Sequence, residues 1–152
     1  MDYIGKWVFE SILQMEESGE MVRLTADAYL ASPMPYVDES DPDEVASELR
    51  DRKGLISSVI EVAEDGLLYM LRALPEGVSQ EEVDEAVQAG EIKLRNGMMY
   101  DRPMAWELRE GKLWYDTGIE GEVFGEAADP WAPASEEDGY LDFINIRYKK
   151  AE

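Results

Sequence analysis

Apolar and polar residues alternate at every second position along much of the chain, the signature of strands with one buried face. Gly5 to Gln14 is rich in Trp, Val, Phe and Ile and predicts a first, half-buried strand. After the turn signal Glu16-Glu17-Ser18-Gly19, the segment Glu20 to Leu30 predicts a second strand. Val22, Leu24, Ala26, Ala28 and Leu30 would share its inner face, although the same residues also fit a short helix. Ser32-Pro33-Met34-Pro35 then breaks the rhythm, because proline has no ladder donor. Asp41 as N-cap, Pro42 at the first helical position and Glu44 at the capping-box place predict a short helix over 42–50. It reads as an excursion lying over one mouth of the fold.

Strands resume over Leu55–Ala63 and Leu67–Leu74, joined by Glu64-Asp65-Gly66, a loop whose final glycine marks a hairpin. Ser79-Gln80-Glu81-Glu82 is a capping box, and the helix it opens runs over 79–89 until Gly90 stops it. Asn96-Gly97 joins Ile92–Arg95 to Met98–Asp101, and Glu110-Gly111 joins Met104–Arg109 to Lys112–Thr117. Glu122 to Glu126 is a further short strand, and Tyr140 to Lys149 the last one. About eight to ten short strands with two short helices between them favour a mostly β, antiparallel barrel or sandwich over any βαβ arrangement. No linker or repeat divides the chain, so residues 1–152 are expected to form a single domain.

Composition removes whole classes of chemistry. There is no histidine and no cysteine. A Ser-His-Asp triad, a Cys-His dyad, a disulfide and a histidine-ligated zinc site are therefore excluded. The 14 basic residues stand against 35 acidic ones, a formal net charge of −21. Such a surface repels phosphate backbones and anionic membranes, so neither nucleic acid nor membrane is an expected partner. The acidity suits a solubilising surface, or a face that attracts a cation or a basic partner. Its acidic clusters, at 38–44, 81–85 and 136–138, lack calcium-loop spacing, and no cofactor is expected. The N-terminus carries no leader pattern, and no apolar run approaches the ~20 residues of a membrane helix, so a cytoplasmic protein is expected. Nothing in the pattern sets an oligomeric state.

Gly5-Lys6-Trp7 opens the first predicted strand, and Arg147 lies in the last. This pairing resembles the lipocalins and their calycin relatives, which carry a Gly-x-Trp motif at the first strand and an arginine across that tryptophan from the last. The resemblance implies an up-and-down, lipocalin-like barrel closed by contact between Trp7 and Arg147. A closed barrel brings its first and last strands together and so removes its edges. Leu141, Phe143, Asn145 and Arg147 would share one face of a continuous last strand. Fatty-acid-binding proteins end in an Arg-x-Tyr pair that grips a carboxylate. Here Tyr148 directly follows Arg147, so their side chains face opposite ways and that clamp does not carry over.

Such a barrel implies a small hydrophobic or amphipathic ligand and no enzymatic activity. Met70, Arg72, Trp106, Trp114 and Tyr115 are the residues expected to line a cavity or fill the core. Trp114 and Tyr115 are neighbours, so at most one can face inward. Met98, Met99 and Met104 cluster near Tyr100, as core fillers or as an adaptable binding surface. The competing expectation is a filled barrel, an interaction or structural protein acting through its loops or acidic surface.

Overall fold

Strands and helices follow one another in an order that the sheet pairing makes simple. In the computed structural model, which describes residues 2–127 and 129–151, β1 (Gly5–Met15) and β2 (Met21–Leu24) lead to α1 (Ala26–Ala31) and α2 (Pro42–Ile56). A hairpin of β3 (Val59–Val62) and β4 (Leu67–Leu71) follows, then α3 (Gln80–Gln88) and a small hairpin of β5 (Lys93–Arg95) and β6 (Met98–Tyr100). Next come β7 (Met104–Arg109) and β8 (Lys112–Asp116), then a second small hairpin of β9 (Glu122–Val123) and β10 (Glu126–Ala127). The remaining strands are β11 (Trp131–Pro133), β12 (Ser135–Glu137), β13 (Tyr140–Phe143) and β14 (Ile146–Lys150).

The main sheet has ten strands in the order β11-β8-β7-β4-β3-β1-β14-β13-β12, with β2 also on β1. All its pairings are antiparallel. Its two ends meet through a single bent segment. Trp131–Pro133 pairs with β8, Ser135–Glu137 pairs with β13, and between them the Ala134 N–H donates to the Leu113 carbonyl at 2.9 Å. The result is a nearly closed antiparallel barrel with three helices. Once the excursions are set aside, each wall strand neighbours its predecessor in the chain, and β1 lies beside β14.

The inward faces of the wall fill the core. Val62 pairs with Leu68, Leu141 with Tyr148 and Leu113 packs nearby, all buried. Burying each such leucine stabilises the fold by about 2 kcal/mol. The Trp7 indole donates to the Tyr3 carbonyl at 2.9 Å, and the Tyr3 hydroxyl donates to the Gly111 carbonyl at 3.3 Å, which plugs one end. That end is made of tight turns, Glu64–Gly66, Glu110–Gly111 and Asp138–Gly139. Glu110 and Gly111 both have positive φ, 54° and 79°, the two-residue geometry whose twist matches antiparallel strands. The register places every longer excursion at the opposite end: β2-α1-α2, α3-β5-β6 and β9-β10.

The predicted hairpins at 64–66, 96–97 and 110–111 form, as does the helix after Ser79. Several other expectations are corrected. Glu20–Leu30 is not one strand: pairing stops at Leu24, and Thr25 caps α1 by accepting from the Ala28 N–H. The helix at 42–50 extends to Ile56, so the strand expected from Leu55 starts at Val59. The barrel therefore carries three helices instead of two. Glu122–Glu126 is a hairpin, turning at Phe124-Gly125. The last strand is two strands, because the chain reverses at Ile144-Asn145.

That reversal also changes barrel closure. Arg147 pairs in register with Asp142 and Ser11 while Tyr148 takes the inner face, so Arg147 cannot lie on the inner face with Leu141 and Phe143. Its guanidinium bonds Asp142 at 2.8 Å and Glu137 at 3.0 Å and lies over the Tyr140 ring. The cation over Trp7 is the Lys150 ammonium, 5.1 Å from the ring centroid. First and last strands do meet, but through Trp7 and Lys150 and not through Trp7 and Arg147.

Candidate functional site

The barrel wall is thinnest between β4 and β7, which share two register pairs, Leu67 with Ala105 and Leu68 with Met104. Beyond Leu68 the two strands part, and β6 takes up β4 through a bridge from Arg72 to Met99. Both backbone bonds of that bridge are present, at 2.9 and 2.8 Å. The β5-β6 hairpin is held in place on the outer face, where Arg95 bonds Glu61 at 2.8 Å and lies 4.0 Å over the Tyr69 ring. The Arg95 bond, more than its charge, holds the Glu61 carboxyl below the usual carboxylate range against burial.

The seam left between β4, β6 and β7 is an open cleft of about 680 Å³, lined among others by Met70, Arg72, Met99, Tyr100, Arg102 and Met104. Small-molecule sites commonly span roughly 300–1,000 Å³. A second cleft of about 570 Å³ lies between α2 and the end of β4 and shares Arg72 and Met99 with the first. Met70 pairs with Ile60 on the inward face, yet it is 40% exposed because nothing covers the seam there. Arg72 follows two residues on and therefore faces the same way.

Charge in the clefts is uneven. Arg52, Arg95, Arg109 and Arg147 are each paired with a carboxylate. Arg50, Arg72 and Arg102 form no ion pair among the described residues. All three line the two clefts. Glu91 and Asp101 also border the first cleft, so it is balanced in formal charge but holds guanidinium groups with free donors. Below Arg72, inside the barrel, the buried Tyr148 and Ser58 hydroxyls bond at 2.8 Å. Burial pushes the Tyr148 phenol above its ordinary value, opposed by the Ser58 bond and by the charge of Arg72. Arg102 packs over Gly118, where an added Cβ would overlap its guanidinium.

The five residues expected to line a cavity separate into three places. Met70 and Arg72 reach the first cleft. Tyr115 is buried in the core, and Trp106 packs against it, donating its indole N–H to the Ala63 carbonyl at 2.8 Å. Trp114 is on the outer face: it pairs with Glu107 and Pro133, and Arg109 lies 4.7 Å above its ring. Trp7 closes the plugged end, and Arg147 is on the outer wall. Met99, Met104 and Tyr100, noted in the sequence only as a cluster, come together on the cleft. Arg50, Arg102 and the Ser58–Tyr148 pair carried no local signal, since each depends on which strands become neighbours. Among the described residues, no three acidic side chains converge as a metal site. Among the same residues, no helix is long and apolar enough to cross a membrane.

No protein-family model matches the chain, and no curated protein or solved structure is significantly similar to it.

Proposed function

We propose that this chain is a non-enzymatic binding protein, a lipocalin-like barrel that takes one small amphipathic ligand at the seam between β4 and β7. The observation that carries this is Arg72. It is an exposed guanidinium without an ion-pair partner among the described residues, on the inward side of a cleft whose apolar lining is mostly methionine, with Tyr100 and Ile92. In a chain with 35 carboxylates and 14 cations, an arginine left unpaired at such a place suits an acidic group brought by a ligand. The methionines suit an adaptable apolar contact with the rest of it. The sequential order of the wall strands and the meeting of β1 with β14 favour the up-and-down lipocalin-like arrangement. The acidic surface fits a cytoplasmic protein with no nucleic-acid or membrane partner.

Native mass spectrometry of the purified protein, followed by thermal shift with a long-chain carboxylate and its matching alcohol, tests the proposal. The carboxylate is expected to raise Tm, by the equivalent of about 2.7 kcal/mol at a hundredfold excess over Kd. Arg72→Gln is expected to abolish most of the preference for acid over alcohol. No co-purifying molecule and no shift with either amphiphile would leave the filled-barrel interaction protein as the better account.

A further inference from the structure

The end of the barrel that carries the clefts also carries residues whose conformation and exposure are otherwise unexplained. The two-residue turns of this chain follow one scheme: Asn96-Gly97, Glu110-Gly111 and Asp138-Gly139 each have φ near +54° followed by a glycine near +80°. Polar residues tolerate that first position because a short polar side chain can bond locally or meet water. Phe124 occupies the same position before Gly125, at φ 54°, and its side chain is fully exposed. Ile144 sits at φ 58° in the β13-β14 turn and is 92% exposed. For a β-branched residue this is an outlier. Each side chain holds its backbone in a strained region and stays almost wholly in solvent.

Both turns project from the cleft end. Phe124 lies on the β9-β10 hairpin that leaves β8 just after the cleft residues Thr117 and Gly118. Ile144 turns the chain beside the end of β1, where the Leu13 N–H donates to the Asn145 carbonyl. Met15, at the end of β1, and Ile119 are also mostly exposed there. The surroundings are acidic. The β1-β2 turn carries Glu16, Glu17 and Glu20, the β9-β10 segment carries Glu120 and Glu126, and no Lys or Arg occurs between Lys112 and Arg147.

We infer that this end docks onto a polypeptide partner that offers apolar pockets bordered by basic residues, with Phe124 and Ile144 as the inserted side chains. The inference stands apart from the ligand proposal, since it uses none of the cleft residues. A second copy of this acidic chain and an anionic bilayer would both be repelled by the same carboxylates. A basic partner is attracted by them and covers the apolar tips, which matches the usual layout of an apolar centre within a polar rim.

Fluorescence anisotropy with a labelled amphipathic leucine–lysine peptide, and with its leucine–glutamate counterpart, tests the inference on the intact protein. The protein is expected to bind the lysine peptide in preference, and more weakly as salt rises. Phe124→Asn with Ile144→Asn is expected to weaken that binding about tenfold or more. The same double variant should match or exceed the parent Tm, because asparagine adopts positive φ more readily. Loss of binding with unchanged or raised stability separates docking from a structural role. Undiminished binding by the variant, or equal affinity for both peptides, overturns the inference. Binding to phosphatidylcholine vesicles in place of the peptide overturns it in favour of a bilayer.

Discussion

Arg52 offers the sharpest test of how the excursions at the cleft end are held. It is 1% exposed on α2, and its guanidinium reaches across to the chain after α1. Nε bonds Glu48 at 3.0 Å, and Nη1 bonds the Tyr29 carbonyl at 2.7 Å and the Ser32 carbonyl and hydroxyl at 2.9 and 2.8 Å. Nη2 bonds the Pro33 carbonyl at 3.1 Å, and the charge lies 5.1 Å over the Tyr29 ring. Replacing it by methionine keeps an unbranched apolar stem and removes every donor. At about 1.5–3 kcal/mol for each bond to a charged group the sum overshoots, because water reaches several of the freed carbonyls. Breaking a buried pair from one side costs about 3–5 kcal/mol, and that is the expected loss for Arg52→Met. In a domain of this size it corresponds to a fall in Tm of roughly 6–20 °C. Urea unfolding followed by tryptophan fluorescence measures the loss directly. Adding Glu48→Leu removes the stranded carboxylate and should restore part of the stability. A single variant within about 1 kcal/mol of the parent, or a double variant no better than the single one, would refute the reasoning.

Acid should weaken the same region and the β5-β6 hairpin. Burial pushes the Glu48 carboxyl up, but bonds from Tyr36 and Arg52 outweigh it and hold the group low; Arg95 does the same for Glu61. Both folded values lie below the ordinary 4.5, so their stabilisation is present above that pH and is lost as pH falls through the lowered values. Urea midpoints across that range should decline in the parent and decline less in Arg95→Gln. At the alkaline side, burial raises the Tyr115 and Tyr148 phenols above 10.0. Their contribution to stability is therefore full below pH 10.0 and is lost as pH rises through the raised values. Burial raises the Tyr3 and Tyr29 phenols as well, so absorbance should show a late group of tyrosinates forming as the fold is lost, and a single reversible titration of all eight tyrosines with intact circular dichroism would contradict this. Tyr148→Phe removes the 2.8 Å bond to Ser58 and should lower stability by about 1 kcal/mol with an unchanged urea m-value. Gly118→Ala places a side chain at φ +71° against Arg102, and calorimetry should record a loss of about 1–2 kcal/mol.

Much of the wall was legible because its signals are local. Period-2 alternation and X-Gly turns act over a few residues, so the hairpins at 64–66, 96–97 and 110–111 and the capped helix after Ser79 could be read directly. The errors fell where two local signals compete. Glu20–Leu30 fits either period, and only the end of pairing at Leu24 lets Thr25 cap a helix. Ile144 carries no turn signal, so the reversal at the last hairpin was invisible. The face assigned to Arg147 was wrong with it, since an inserted turn exchanges inside for outside.

Residue types and their spacing, which need no neighbours, are enough to fix the chemistry that is absent, the strongly acidic surface, and a mostly β, antiparallel chain. Which residues share the cleft was decided only by the tertiary structure. Met70 and Arg72 meet Met99, Arg102 and Met104 because β7 leaves β4 after two register pairs and β6 takes its place. Trp114 turned outward and Tyr115 inward for the same reason, since facing is fixed by pairing partners. Long-range register is set by the closure of the whole barrel, where every strand must satisfy two neighbours at once, and no local stretch of sequence encodes that condition.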